Sequence, residues 1–201
     1  MKEELIRQIL AIEWPMFASV ENEGGKASCQ SRPKTFEIMR RSQYESWPEE
    51  VLEAWYEDLA CAEKESRNLS AEKYAFMMEV TAPDVWPKIR KRLPQIEEGT
   101  IRKIREIVEI NMCWQEETDR KYPQLRSNGR PLRSTQDTPF AVSVETYLFC
   151  ELKTYSARTI DRLHTYTVAC QKQGVNLAEK TLENTVKEYG YASLEEAVQS
   201  L

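Results

Sequence analysis

Apolar residues recur at steps of three and four along most of this chain, and alternation of β-branched residues at every second position is nearly absent. That pattern predicts an all-α fold. The first helix, about residues 2–20, carries Ile6, Leu10, Phe17 and Val20 on one stripe, and Pro15 should kink it by removing a backbone donor. Pro33 and Pro48 suit the first turns of helices over about 33–45 and 48–66. Ser70 is a candidate cap for a short helix reaching Val80, and Thr81 with Asp84 opens a segment that Pro94 ends. Periodicity resumes over about 100–121. It then lapses over 122–142, a proline-containing stretch with a Ser127-Asn128-Gly129 turn signal, which predicts a long basic loop.

From Ser143 the spacing of Val144, Leu148, Leu152, Tyr155 and Leu163 predicts one long central helix over about 143–172, stopping near Gly174. Asn176 and Ser193 are caps for peripheral helices within 176–201. The expectation is a single bundle-like domain, residues 1–201, of about eight to nine helices, with a Gly-Gly loop at 21–32.

Composition narrows the function classes. The 201 residues hold 28 basic and 33 acidic side chains, a formal net charge of -5, which disfavours whole-surface attraction to nucleic acid or anionic lipid. No run approaches a membrane span, and the charged opening Met1-Lys2-Glu3-Glu4 does not read as a secretory leader, so the expectation is a cytoplasmic protein. Five widely spaced cysteines, Cys29, Cys61, Cys113, Cys150 and Cys170, form no CxxC pair and read as reduced thiols.

Within this frame a few residues stand out. Glu13 lies between Leu10 and Phe17 on the apolar stripe, so packing draws its carboxylate inward, where it needs a partner. A structural ion pair and a ligand-facing acid, base or metal ligand both fit. Gly24 and Gly25 let the backbone approach a ligand or merely a neighbouring helix. Cys29, just before a helix start, is a conceivable nucleophile, although the chain's one histidine, His164, is remote and reads first as a core residue. Asp161 and His164 have the i, i+3 spacing of half a dimetal-carboxylate site, to which Glu13, Asp58, Glu109, Glu145 or Glu151 could add oxygens; the usual site needs that pair twice. Arg120, Lys121, Arg126, Arg130 and Arg133 around the long loop are candidate anion ligands or solvated charges.

The runs MFASVENEGGKASCQ (16–30), FEIMRRSQYESW (36–47), RNLSAEKYAFMM (67–78) and SVETYLFCELKTYS (143–156) resemble the bacterial family catalogued as domain of unknown function 4125. The resemblance spans most of the chain and thins after about residue 170. It implies no activity. What it implies is that Glu13, Asn22, Gly24, Gly25, Cys29, Gln30, Arg40, Gln43, Arg67, Asn68, Lys73, Tyr74, Glu145, Tyr147 and Glu151 match family motifs.

The resulting expectation is a pocket between the first helix, the Gly-Gly loop and the long helix, which binds a small polar or anionic metabolite without a cofactor. Glu13 and Glu145 are its acid/base candidates and Arg40 its anion clamp, with Asn22, Gly24, Gly25, Gln30, Gln43, Tyr74 and Tyr147 as ligand-binding residues. The alternatives are a helical protein–protein interaction module and a dimetal oxidoreductase. Oligomeric state is left open.

Overall fold

The computed structural model describes residues 1–21, 25–125 and 130–201. Among them the fold is all-α: ten helices, with one isolated antiparallel bridge, Thr138 to Ala141, as the β pairing. The helices are α1 (Lys2–Ala18), α2 (Pro33–Glu45), α3 (Glu49–Lys64), α4 (Leu69–Thr81), α5 (Trp86–Ile89), α6 (Glu98–Lys121), α7 (Val144–Leu152), α8 (Ala157–Lys172), α9 (Leu177–Glu188) and α10 (Leu194–Gln199). No helix among the described residues is long and apolar enough to cross a membrane.

Local signals place most of the ends. Pro33 opens α2 at its first position, where a missing amide costs nothing. Asn176 and Ser193 accept from the backbone amides of Glu179 and Glu196 and so start α9 and α10. For α4 the cap is Asn68, not Ser70: its side chain accepts from the Ala71 amide while its Nδ2 donates to the Met16 carbonyl. One side chain thereby starts α4 and fastens it to α1.

The expected long helix over 143–172 is two helices. Ser156 adopts an extended backbone at φ -65°, ψ 158° and accepts from the Thr159 amide, so it starts α8 afresh. On the other side of the break the Thr154 hydroxyl bonds back to the Glu151 carbonyl, and Asp58 of α3 accepts the Ser156 amide at 2.9 Å. The interruption spans four residues, Lys153 to Ser156, close to one helical turn. It therefore preserves the apolar phase from Leu152 to Leu163, and periodicity alone cannot reveal it.

The main core joins Ile6 and Ile9 of α1, Leu52 and Leu59 of α3, Ile104 and Ile107 of α6, Leu152 of α7 and Ile160 of α8. Each such buried side chain contributes roughly 1.5–3 kcal/mol relative to exposure. α6 packs along α8 and also touches α7 and α9, while α1 is flanked by α2, α3 and α4. This leaves α7, which also packs on α4, facing the α1–α2 pair. The basic stretch before α7 is tied down by charge: Arg133 bonds Glu109 and Glu116 of α6.

Candidate functional site

Helical spacing carries four charged residues into this protein's interior. On α1, Ile6, Ile9, Leu10, Glu13, Met16 and Phe17 share the buried face, so Glu13 is brought in by the residues around it. Arg40 and Tyr44 stand one turn apart on α2. Tyr147 and Glu151 stand one turn apart on α7, with Tyr155 the same step beyond the helix end. Lys73 shares the buried face of α4 with Phe76 and Met77. The side chains of Glu13, Glu151 and Lys73 are 8–9% exposed and that of Arg40 16%.

Arg40 is the hub. Its Nη2 donates to Glu13 Oε1 at 2.6 Å and to the Tyr44 hydroxyl, and its Nε donates to Glu13 Oε2 at 3.3 Å. Its Nη1 donates to Glu151 Oε1 at 2.7 Å and to Gln43 Oε1 at 3.0 Å. A guanidinium has five N–H groups, and here all five have protein acceptors. Arg40 is therefore not placed as the expected clamp for an outside anion. The network closes through Tyr44, whose hydroxyl donates to Glu13 at 2.6 Å and accepts from the Trp55 indole at 3.0 Å.

Lys73 differs. Its ammonium donates to the Tyr147 hydroxyl and, at a long 3.5 Å, to Glu151 Oε2, and it lies over the Tyr147 ring. The ammonium also lies over the Tyr74 ring, 5.1 Å from its centroid, and one of its three donors has no hydrogen-bond acceptor among the described residues. Burial would raise the Glu151 carboxyl, but the charges of Arg40 and Lys73 outweigh it and hold the group at about 2. Burial, aided by the Glu151 charge, pushes the Tyr147 phenol up to about 12, so it is a neutral donor at ordinary pH. Tyr44 and Tyr155 are raised as well, first by burial.

These groups line a cavity of about 250 Å³ among α1, the turn at Ser28–Ser31, α2, α3, α4 and α7. Its charged wall is Glu13, Arg40, Lys73 and Glu151; its apolar wall includes Met16, Phe17, Phe36, Leu59 and Leu69. The two acids and two bases of this buried wall balance, and Arg32 adds one exposed positive charge at the border. Cys29 and Arg32, both exposed, and Thr35 also border it.

The structure distributes the other expected site residues as follows. Gln43 borders a second cavity behind Arg40. Tyr74 stands edge-on to Tyr147, ring centroids 6.4 Å apart, behind the cavity wall. Glu145 is not among the described lining residues; its carboxylate accepts the Ser134 amide at 2.7 Å and braces the preceding loop. Gln30, likewise outside the described lining, donates to the Phe17 and Val20 carbonyls and accepts the Ala27 amide, which pins the loop to the end of α1. Asn22 and Gly24 lie outside the described residues. Gly25 has φ +82°, and a Cβ there would meet nothing within 4 Å, so the position uses glycine's backbone freedom and not a close approach.

The dimetal pairing is separated. Asp161 bonds Lys103 at 2.6 Å and His164 bonds Glu106 at 2.7 Å, both on α6, and among the described residues no three His, Cys, Asp or Glu side chains gather as a metal would need. In the sequence Lys73 stands out only as a motif residue, and Glu151 as a motif residue and a possible metal-ligating oxygen. Helical phase offers a signal for both: Lys73 precedes Phe76 and Met77 by three and four positions, and Glu151 follows Tyr147 by four.

No curated protein and no solved structure matches the chain. A family model described as protein of unknown function (DUF4125) matches residues 3–199, and the chain belongs to that family.

Proposed function

We propose that the protein binds a small organic molecule with an anionic or strongly polar end in the cavity bounded by Glu13, Lys73, Tyr147 and Glu151. The observation that carries this reading is the unused donor of buried Lys73, next to the neutral Tyr147 hydroxyl and opposite an apolar wall. A ligand oxygen can accept from the ammonium and the phenol while its body packs on Phe17, Phe36 and Leu69. The volume matches roughly eight waters at about 30 Å³ each, which suits a metabolite and excludes a polymer chain from the interior. Glu13, held by Arg40 and Tyr44, serves as an acceptor for a ligand N–H or O–H. In this reading Arg40 is a positioning residue, fixing both carboxylates.

The interaction-module alternative needs contiguous exposed apolar area. The exposed large apolar side chains among the described residues, apart from the terminal Met1 and Leu201, are Met39, Val85, Phe140 and Tyr189, from four separate segments, which gives that alternative less support.

The test is a thermal-shift screen of carboxylates, phosphates, zwitterions and neutral analogues, followed by calorimetry on wild type, Lys73→Met and Glu13→Gln. A charge-assisted hydrogen bond of about 1.5–3 kcal/mol predicts a loss of roughly ten- to a hundredfold in affinity in Lys73→Met. If no compound stabilises the protein, or the hits bind both variants as well as wild type, the reading fails.

A further inference from the structure

A second cavity, about 420 Å³, lies between α2, α6, α7, α8 and α9, and shares Met39, Arg40, Tyr147 and Glu151 with the first. It is a half-open cleft, and because helices in a folded protein pack closely, an apolar-lined space of this size between five of them stands out. We propose that it is a separate binding site for an uncharged, largely apolar molecule carrying one hydroxyl or amide group, with Thr167 as a hydrogen-bonding partner.

The lining sets that chemistry. Trp47, Ile107, Met112, Leu148 and Leu163 supply an apolar surface. The charges at the shared wall, Arg40 and Glu151, already face each other at 2.7 Å, and an ionised ligand would be desolvated there with no free counter-charge. The polar groups that remain are neutral. Asn111 donates through Nδ2 to the Ile107 carbonyl, Gln115 donates through Nε2 to Asp119, and Gln43 accepts Arg40 through Oε1. Each amide therefore keeps one end, Asn111 Oδ1, Gln115 Oε1 and Gln43 Nε2, for another partner.

Thr167 adds an independent observation. Thr118, Thr165 and Thr185 return their hydroxyls to the carbonyl four residues earlier, as helical threonines do. Thr167, 1% exposed and bordering the cavity, has a buried hydroxyl with no hydrogen-bond partner. A buried hydroxyl left in this state is costly, and a ligand hydroxyl or amide that met it from the cavity would remove the cost. Met39, half exposed and bordering both cavities, marks the entrance.

The experiment is a titration of the full-length, methyl- and ¹⁵N-labelled protein with benzyl alcohol, toluene and sodium benzoate, followed by NMR. Benzyl alcohol is expected to shift signals of Ile107, Leu148, Leu163 and Thr167, to bind more tightly than benzoate, and to leave Lys73 and Tyr74 unmoved. The near-isosteric Thr167→Val should weaken benzyl alcohol about fivefold and leave toluene unchanged. Ala178→Met, which narrows the space, should weaken both. The proposal is overturned if the shifts fall elsewhere, if benzoate binds this site as well as benzyl alcohol, or if neither substitution changes the affinity. Failure of the charged cavity to bind anions would leave these readouts untouched.

Discussion

The seam between α6 and α8 and the junction of α1, α2, α4 and α7 both join helices through charged side chains, but under opposite conditions. Along the seam Ile104, Ile107, Ile160 and Leu163 form the dry contact, while the Lys103–Asp161 ion pair and the Glu106–His164 hydrogen bond sit at its edge, with Lys103, Asp161 and Glu106 each more than 40% exposed. Water screens such pairs, and each contributes about 0–1 kcal/mol. At the junction Arg40, Glu13, Glu151 and Lys73 are out of water, where desolvation offsets most of the Coulombic gain. Apolar residues of similar volume often hold such a junction, here of four helices, at least as well. A balanced set of buried charges beside a cavity is thus a poor choice for stability alone and a good one for recognising a polar ligand. That contrast, more than any single distance, supports the functional reading.

The contrast can be broken at its hub. Arg40→Met leaves Glu13 and Glu151 buried without their main partner, and the expected destabilisation is about 3–5 kcal/mol. For a chain of this length that is on the order of 10 °C in melting temperature, read by calorimetry. Removing the remaining buried charges as well, in Glu13→Gln/Arg40→Met/Lys73→Met/Glu151→Gln, should recover a large part of the loss. No recovery would mean that shape, and not charge balance, holds the junction.

Acid sharpens the same point. The ion pairs lower the folded-state value of Glu151 to about 2 from the usual 4.5. A group depressed in this way stabilises the fold fully above about pH 4.5, and that contribution is lost as the pH falls from there through about 2. Urea midpoints should drop across this window in wild type and more shallowly in Glu151→Gln. Equal slopes would show that the ion pairs do not hold the folded-state value of Glu151 below its usual one.

Tyr44→Phe deletes the hydroxyl that links Glu13, Arg40 and Trp55, and about 1–3 kcal/mol is expected for leaving the indole N–H unpaired. At the other extreme, Lys103→Ala should cost less than about 1 kcal/mol. A larger cost at the seam than at Tyr44 would invert the comparison.

How much of this was legible in the residues follows from what each signal can encode. Pro33, Asn176 and Ser193 act on their own backbone, so the starts of α2, α9 and α10 are readable locally. Glu13 is readable as a buried acid because neighbours on its own helix bury it. Its partner is not: Arg40 lies 27 positions away and meets Glu151 across 111, and no local spacing fixes such a meeting. Glu145 and Glu151 are both motif residues near one helix, yet six positions along α7 turn the two carboxylates to different surroundings, Ser134 for one and Arg40 for the other. Gln30 looked like a ligand group because it is polar beside glycines; in the fold its amide serves the carbonyls at the end of α1.

The central claim, that the balanced charges enclose a site for a small molecule, is tested most directly by native against denaturing mass spectrometry of freshly purified protein, wild type beside Lys73→Met. The account predicts a small organic mass excess on the native wild-type chain that disappears on denaturation and is absent or much reduced in the variant. Native masses equal to the bare chain or its simple multiples in both proteins, or an adduct that Lys73→Met retains in full, would contradict it.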